Sequence, residues 1–398
     1  MRIIIRMLHL AISRREKLAQ DSTGLIVLSA NIAIQRANDV PYPYRQDSSF
    51  WYYTGLNEPG LVLVVADGQE YLILPQKTEI ERIFDGETDV PKLQKTSDIQ
   101  RIYDYKSGWD LLKTQIKKYK KVHTIVPKPQ LGMANNPAQV NLITKIKRLC
   151  PGIEIHDITK QVARQRMVKT ADEIELIQKA INVTNQTIKE TFTGNWYEKY
   201  KNEAEIARDL HIGYLKRGAS GHAFEPIVAG GKNACTIHYV ENNANLTKGN
   251  LLLIDTGAEY QNYAADISRT IPIGKPTPRQ MDVIEAVTEV STYAKTLMKP
   301  GALMKDIEKQ VETKMGQALI ALGLITKNEP KMVRKYYPHA VSHHLGLDVH
   351  DLADYSVPLA ENMVITVEPG IYIIEEGIGV RIEDDVLITK DGNKILSD

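Results

Sequence analysis

Four carboxylates adjoin stretches of this chain that otherwise have the composition of buried β-strands. They are Asp255 after Leu251–Ile254, Asp266 after Tyr263–Ala265, Glu368 after Val364–Val367, and Glu383 after Val380–Ile382. An ionised carboxylate buried without a counter-charge is so costly that it must be protonated, paired or bound to a metal ion. One such acid alone is most simply explained as a solvent-exposed strand end, because Asp and Glu are mostly exposed. Four together predict a shared positive charge inside one domain.

Two divalent cations would supply that charge. In two-metal sites the ions lie about 3.5–4 Å apart, which requires carboxylates close to both. A polar segment that contains Gly257 separates Asp255 from Asp266. The two strands of one hairpin can bring both carboxylates to the same end of a sheet, so we expect these two acids to share the site.

A nitrogen ligand is available between Pro338 and His350, where four of the chain's 10 histidines lie: His339, His343, His344 and His350. A single histidine is more often structural than a ligand, but four among carboxylate-bearing strands favour a metal site. Spacing alone does not decide between His343 and His344. Mostly oxygen ligands with one imidazole suit Mn(II) or Co(II), with Zn(II) possible.

The length and the element pattern predict two domains, because 398 residues exceed a comfortable single core. We place the domains at 1–165 and 166–398. The first domain is expected to be α/β, with a hairpin turning at Asp67–Gly68. Its other predicted elements are strands at Leu25–Leu28 and Thr124–Val126 and a helix at Gln139–Leu149.

In the second domain the order helix, helix, strands is predicted twice. Helices are expected after the capping box of Thr170 and Glu173, after Asn202, at Thr277–Pro278, and from about Met304 to Leu322. Strands are expected over Ile227–Ile273 and His339–Thr389. This recurrence predicts one pseudo-twofold domain in which acids from both sets of strands meet near the axis.

Composition removes several other classes. The net charge of +1, without a basic run interleaved with aromatic residues, gives no reason to expect a nucleic-acid partner. No stretch reaches the ~20 apolar residues that a membrane span needs, and residues 1–13 do not read as a signal peptide. The only cysteines are Cys150 and Cys235, which excludes a cysteine-bound zinc site. A cytoplasmic protein without nucleic-acid or membrane partners is expected.

Several segments resemble the motifs of the pita-bread metallopeptidases, and among these the Xaa-Pro aminopeptidases (aminopeptidase P), with Xaa-Pro dipeptidases close behind. They are Ile254–Tyr260, Ala265–Thr270, Ser342–His350, Thr366–Tyr372 and Gly379–Asp385. The stretch Tyr42–Pro59 is also similar to the N-terminal domain of that family. The resemblance implies an α/β (α+β) fold with a creatinase-like N-terminal domain and a pita-bread catalytic domain.

The resemblance also implies a role for individual residues. The metal ligands would be Asp255, Asp266, His343, Glu368 and Glu383, with Asp266 and Glu383 bridging two ions. This favours His343 over His344. His238, His350, Glu368 and Arg381 would be catalytic, and His238, His339 and His350 would contact the substrate. Since residues two apart on a strand share a face, Arg381 is expected beside Glu383.

The implied activity is removal of the first residue from peptides with proline in second position. Two divalent ions, foremost Mn(II), would supply a bridging hydroxide as the nucleophile. A homodimer or homotetramer is expected, with the N-terminal domain in assembly. Alternatives are an Xaa-Pro dipeptidase, a methionine aminopeptidase, a creatinase-like hydrolase and a catalytically silent binding protein. Phe224, where many relatives are expected to have tyrosine, is the one departure noted.

Overall fold

A computed structural model describes residues 2–22, 24–128 and 134–398 of the chain. The chain divides into two compact units, Met1–Gln165 and Arg166–Asp398. Among the described residues, no helix is long and apolar enough to cross a bilayer.

The N-terminal unit is built on a six-stranded mixed sheet with the strand order β6-β5-β4-β1-β7-β8. The strands of this unit are β1 (Leu25–Ser29), β2 (Gln35–Ala37), β3 (Val40–Pro41), β4 (Val62–Ala66), β5 (Gln69–Ile73), β6 (Ile102–Tyr103), β7 (Lys121–Thr124) and β8 (Glu154–Asp157). Strands β1 and β4 are buried along their whole length, which agrees with their continuous apolar sequence. The unit is therefore α/β.

Helices accompany this sheet. They are α1 (Arg2–Asp21), α2 (Ser48–Thr54), α3 (Glu79–Asp85), α4 (Val90–Ser97), α5 (Tyr105–Tyr119), α6 (Ala138–Leu149) and α7 (Thr159–Met167). Leu112, Ile116 and Ile146 contribute their buried faces to the same core as β1 and β4. The predicted hairpin is present: Asp67 and Gly68 have φ of 51° and 69°, as its tight turn requires.

The predicted strand Thr124–Val126 is displaced. The strand ends at Thr124, where pairing with β8 reaches Asp157. Beyond that point the Asp157 carboxylate accepts a hydrogen bond from the Val126 amide, at 3.2 Å. A side chain has therefore replaced the neighbouring strand as the partner of this backbone, and apolar composition alone does not reveal that change.

The C-terminal unit begins with the two predicted helices and later repeats the pair. Its helices are α8 (Ala171–Thr191), α9 (Trp196–Lys199), α10 (Glu203–Lys216), α11 (Pro278–Leu297), α12 (Met304–Ala321) and α13 (Pro330–Tyr336). The capping box of Thr170 and Glu173 is formed, and Asn202 caps α10 by accepting from the Glu205 amide. Helices α9 and α13 are short and were not predicted.

The strands of the C-terminal unit form several small antiparallel sheets. They are β9 (Gly221–His222), β10 (Ile227–Gly230), β11 (Leu251–Thr256), β12 (Ala258–Tyr260), β13 (Tyr263–Ala264), β14 (Ile267–Pro272), β15 (Val364–Val367), β16 (Gly370–Ile373), β17 (Ile378–Arg381), β18 (Asp384–Ile388) and β19 (Asn393–Ile395). The strands predicted between His339 and Met363 are wrong, since only isolated bridges at His344 and Met363 occur there. That segment is a loop that carries side chains to the site described below.

Register explains why the acids of the C-terminal unit meet. Strand β11 pairs with β14 so that Asp255 lies opposite Ser268, which puts Asp266 just before β14 at the same end. Strand β15 pairs with β18 so that Val367 lies opposite Asp384, which brings Glu368 and Glu383 side by side. Each acid therefore lies at or just beyond the point where two paired strands end.

Gly257 is required by a close approach of backbone. A Cβ atom at this position would lie 1.7 Å from the carbonyl oxygen of Ala265, the residue before Asp266. Any side chain here would separate the two arms of the hairpin that bring Asp255 and Asp266 together. The glycine is therefore part of what fixes the geometry of the site.

Candidate active site

Three of the predicted ligands converge most closely. Asp266, His343 and Glu383 each offer one ligand atom, and these atoms all lie within 4.8 Å of one another. Nε2 of His343 is 3.4 Å from Oδ2 of Asp266 and 3.5 Å from Oε1 of Glu368. We call Asp255, Asp266, Glu368, Glu383 and His343 the acid cluster.

Backbone contacts set the positions of these side chains. The Glu383 amide donates to the Ser268 carbonyl at 3.1 Å, which joins the segment after β17 to β14. The Ser268 hydroxyl donates to Oε2 of Glu383 at 2.7 Å. His343 is held to β15 twice, because its amide donates to Oγ1 of Thr366 and its carbonyl accepts from the Thr366 amide. Its ring is oriented by a contact of 3.1 Å between Nδ1 and the His344 carbonyl, which leaves Nε2 facing the acids.

The electrostatics of the acid cluster are strongly unfavourable without a cation. Burial, followed by the charges of Glu383 and Asp255, raises the pKa of Asp266 well above its usual value. Burial and the neighbouring Asp255 raise the pKa of Glu383 to about 7. Burial and Glu383 likewise raise the pKa of Glu368. These carboxylates resist ionisation together because like charges in a desolvated space repel.

Two carboxylate oxygens of the acid cluster are suited to bind a cation. Among the described residues, Oδ1 of Asp255 and Oδ1 of Asp266 are buried and have no hydrogen-bond partner. Buried acceptors of this kind are normally satisfied. A divalent cation would use these lone pairs and remove the repulsion between the carboxylates. The residues therefore fit a metal site with oxygen ligands and one imidazole.

From its strand position Arg381 was expected to lie beside Glu383. Its guanidinium instead forms its hydrogen bond to a carboxylate with Asp255. Its guanidinium donates to Oδ2 of Asp255 at 2.5 Å and, through Nε, to the Ser268 hydroxyl at 2.9 Å. Glu383 lies between β17 and β18, outside the strand, so the two-residue spacing does not put it on the face of Arg381. The hydrogen-bond link from Arg381 to Glu383 runs through Ser268, and the two opposite charges also attract each other directly.

His339 is linked to the same network. Its Nε2 lies 2.8 Å from the hydroxyl of Tyr372, which also accepts from Arg381 at 2.8 Å. Its Nδ1 lies 3.7 Å from Oε2 of Glu368. Burial and the charge of Arg381 lower the pKa of His339 to about 4, so the ring is neutral near pH 7.

A cavity of about 240 Å³ opens onto the acid cluster. His238, His350 and Phe224 line it together with His343 and all four carboxylates of the acid cluster. The rings of His343 and His350 have centroids 4.2 Å apart. Partial burial and the nearby His343 and His238 lower the pKa of His350 to about 4. All of the predicted site histidines therefore lie in or beside one pocket, with Phe224 in its wall.

Three side chains that complete the site were not predicted from the sequence. Ser268 and Tyr372 connect Arg381 to the acids and to His339, as described above. Asp385 is fully buried and accepts from the Asp266 amide at 3.1 Å. All three lie within motifs quoted for the family resemblance, but their roles depend on contacts between strands that are distant in sequence.

A second group of buried charges supports the loop between His343 and His350. The Asp351 carboxylate accepts from Lys169 at 2.8 Å and forms a short ion pair with Arg166. The Asp351 amide donates to the His344 carbonyl at 2.8 Å. Gly346 packs so tightly that an added Cβ would lie 2.4 Å from Oδ2 of Asp351. We call Arg166, Lys169 and Asp351 the ion-pair cluster.

Comparison with known families identifies the class. The profile described as Metallopeptidase family M24 matches residues 175–390, more than half of the chain. The profile described as Aminopeptidase P, N-terminal domain, matches residues 11–125. The chain therefore belongs to metallopeptidase family M24, and the predicted enzyme class is confirmed.

Within this family, the chain is similar over nearly its whole length to Xaa-Pro aminopeptidases. Xaa-Pro aminopeptidase 3 of Homo sapiens is 32% identical over 98% of this chain and 82% of its own length. Xaa-Pro aminopeptidase of Escherichia coli K12 is 31% identical, over 96% of this chain and 92% of its own length. The solved structure of proline aminopeptidase P II from Yersinia pestis superposes with a TM-score of 0.85 at 28% identity, covering 98% of this chain and 96% of that one. These likenesses confirm the predicted α/β fold with its pita-bread catalytic domain.

Proposed function

We propose that this chain is a metal-dependent Xaa-Pro aminopeptidase, which releases the first residue of peptides that have proline in second position. The observation that carries the proposal is the buried acid cluster with its unsatisfied carboxylate oxygens, facing a cavity lined by His238 and His350. The names of the full-length relatives support the substrate class, and they do not favour the Xaa-Pro dipeptidase alternative.

Five side chains would hold the metal: Asp255, Asp266, His343, Glu368 and Glu383. We propose two ions, with Asp266 and Glu383 shared between them, because these two acids are the most deeply buried and repel each other. Mn(II) is the proposed ion, with Co(II) or Zn(II) as substitutes, since oxygen ligands predominate. When bound, such ions polarise a carbonyl group and lower the pKa of a coordinated water towards neutrality.

The remaining residues would handle the peptide and its protons. Glu368 lies at the edge of the acid cluster and lines the cavity, where its carboxylate would carry a proton to the leaving nitrogen. His350 and His238 line the cavity and would donate hydrogen bonds to the carbonyl oxygen as it gains charge. Arg381 would keep one oxygen of Asp255 occupied, so that the other points to the metal.

Proline in second position removes the N–H from the scissile peptide bond. An enzyme that needs that N–H to orient its substrate would be hampered. The small cavity with apolar side chains at Ile237 and Val349 would instead accept the pyrrolidine ring by packing. We therefore expect selection by shape and not by a hydrogen bond to the leaving nitrogen.

The test is an assay of metal-stripped protein to which Mn(II), Co(II) or Zn(II) is returned. Release of arginine from Arg-Pro-Pro, with no release from Arg-Ala-Ala, is the expected result. Turnover of Xaa-Pro dipeptides without turnover of tripeptides would indicate the dipeptidase instead. Failure of every metal to restore activity would refute the proposal.

We also propose a cytoplasmic homodimer or homotetramer. Support for assembly comes from α3, where Ile80, Ile83 and Phe84 are 67%, 75% and 83% exposed. They lie three and four residues apart on one face of the helix, an arrangement that favours contact with another surface. Light scattering of I83E/F84E protein should show a smaller particle than the wild-type if this face joins two copies.

The domain assignment follows from the same proposal. Residues 1–165 would form the aminopeptidase P-like domain that serves assembly, and residues 166–398 the catalytic domain. The family profiles match within these limits, at 11–125 and 175–390.

A further inference from the structure

One wall of the cavity consists of a segment without regular secondary structure. Ile237, His238 and Val240 all line the cavity and belong to residues 236–244. These residues are all described, and none of them lies in a helix or a strand. The His238 ring has no hydrogen-bond partner among the described residues. Its position therefore depends on whatever holds this backbone in place.

The carboxylate of Glu203 holds the backbone of the wall segment in place. Glu203 is the first residue of α10 and is 0% exposed. Four donors spread over residues 230–244 bind its two oxygens: the Gly230 amide at 2.8 Å, the Asn233 side chain at 3.1 Å, the Tyr239 hydroxyl at 2.8 Å and the Ala244 amide at 2.9 Å. The wall segment, through Tyr239 and Ala244, and the residues before it, through Gly230 and Asn233, are thus bound to one buried charge.

The backbone of Glu203 reinforces the same connection. Its amide donates to the Ala244 carbonyl at 3.0 Å, so residues 203 and 244 are joined in both directions. On the other side, Asn242 accepts from the Val228 amide and donates to the Pro226 carbonyl, both at 2.8 Å. Asn242 fixes one point of the segment to β10, whereas Glu203 ties two points of it, and two points of the residues before it, to α10.

We propose that Glu203 is a positioning residue for substrate recognition, acting through the wall that carries His238. This inference rests on the proposed aminopeptidase function. Glu203 does not belong to the acid cluster, so its loss is expected to change the fit of the peptide and not the retention of metal. Hydrogen bonds to an ionised acceptor are stronger than neutral ones, and a neutral amide could satisfy only part of this donor set.

The experiment compares E203Q with wild-type in the full chain loaded with Mn(II). We expect KM for Arg-Pro-Pro to rise about tenfold, the factor that the loss of one hydrogen bond at the weak end of the charged range represents. Metal content per chain should equal that of the wild-type. Hydrogen exchange at the amides of residues 230–244 should become faster. E205Q is the matched control, because Glu205 lies in the same helical turn. Its carboxylate accepts a hydrogen bond from the Lys201 amide and does not bind the wall.

Two outcomes overturn the inference while leaving the proposed function intact: faster exchange with KM unchanged, or a rise in KM accompanied by loss of metal. An inactive wild-type would refute the proposed function and this inference with it. If E203Q does not fold, Y239F replaces it, since that variant keeps the ring and removes a single donor to Glu203. A rise in KM of about twofold or more supports the inference, and an unchanged KM contradicts it.

Discussion

The acid cluster and the ion-pair cluster bury carboxylates in the same unit, but they neutralise them differently. Asp351 has two cations of its own, Lys169 and Arg166, within contact distance. Although burial raises the pKa of Asp351, these cations lower it below its usual value. Asp266 and Glu383 have mainly other acids as neighbours, and their pKa values are raised.

This difference separates a structural charge from a ligand. A buried acid that is paired with cations of the protein is neutralised in the folded chain. Removing one partner leaves the other as an uncompensated buried charge, which destabilises the fold. The charge of a buried acid among other acids is neutralised only when a cation binds from solution. The burial of Asp351 and Glu383 is nearly the same, so burial alone does not distinguish the two cases. The sign of the pKa shift does.

The largest expected effect follows from removing an acid shared by the proposed ions. E383A or D266A should abolish turnover of Arg-Pro-Pro and bound metal together, because both properties depend on the same carboxylate. Metal content by mass spectrometry and an activity assay on one preparation would check this. Full activity in E383A would defeat the proposed metal site.

In the ion-pair cluster, D351N should destabilise the fold by about 3–5 kcal/mol, because Arg166 and Lys169 would remain buried without their counter-charge. Chemical denaturation measures this change. D348N is the matched control, since the side chain of Asp348 contacts the same Arg166 but is 41% exposed. Its removal should cost about 1 kcal/mol or less. Equal losses in both variants would contradict the comparison.

S268A tests the connection between Arg381 and Glu383. The hydroxyl of Ser268 donates to Glu383 and accepts from Arg381, so it orients a proposed ligand without being one. Loss of a contact of this kind typically lowers metal affinity about 10–100-fold. Titration of stripped protein with Mn(II) would measure it. Unchanged affinity would show that Glu383 is oriented by its backbone alone.

The smallest expected effect is a pH dependence that differs in sign between the clusters. A carboxyl whose pKa is raised by folding contributes less stability as pH rises from its unfolded value towards its folded value. Metal-free protein should therefore lose about 1–3 kcal/mol between pH ~4.5 and ~7 through Glu383. Asp351, with its lowered pKa, contributes stability that is lost only as pH falls below ~4.

Thermal unfolding across this pH range, with and without Mn(II), separates the two contributions. Added metal should remove the decline between pH ~4.5 and ~7, because ionised carboxylates then have a cation. The matched variant is E383Q, in which the decline should shrink even without metal. A decline of the same size in E383Q would assign it to other groups.

Local sequence was sufficient where the structure depends on local contacts. The capping box at Thr170, the helix after Asn202 and the turn at Asp67–Gly68 are all present as predicted. The position of the acids at strand ends also followed from apolar runs. Each of these features is determined by residues within a few positions of one another.

What sequence reasoning missed depends on contacts across the chain. Tyr372, Ser268 and Asp385 acquire their roles only when β14, β17 and β18 lie together. Glu203 and Asp351 look like ordinary helix-start and loop acids, and only the folded chain surrounds them with donors. The loop from His339 to Met363 was mistaken for strands, because its apolar residues pack against the core while only a few of its backbone groups bond to β15.

The order in which the acid cluster is synthesised has a consequence for how the enzyme is made. Asp255 and Asp266 leave the ribosome well before Glu368 and Glu383, and β14 meets the segment of Glu383 only after both have emerged. A nascent chain that has been synthesised only as far as the first pair of acids lacks the other ligands of the acid cluster. Cation loading is therefore expected to be a late event in biogenesis, following closure of the catalytic half and not guiding its earliest steps.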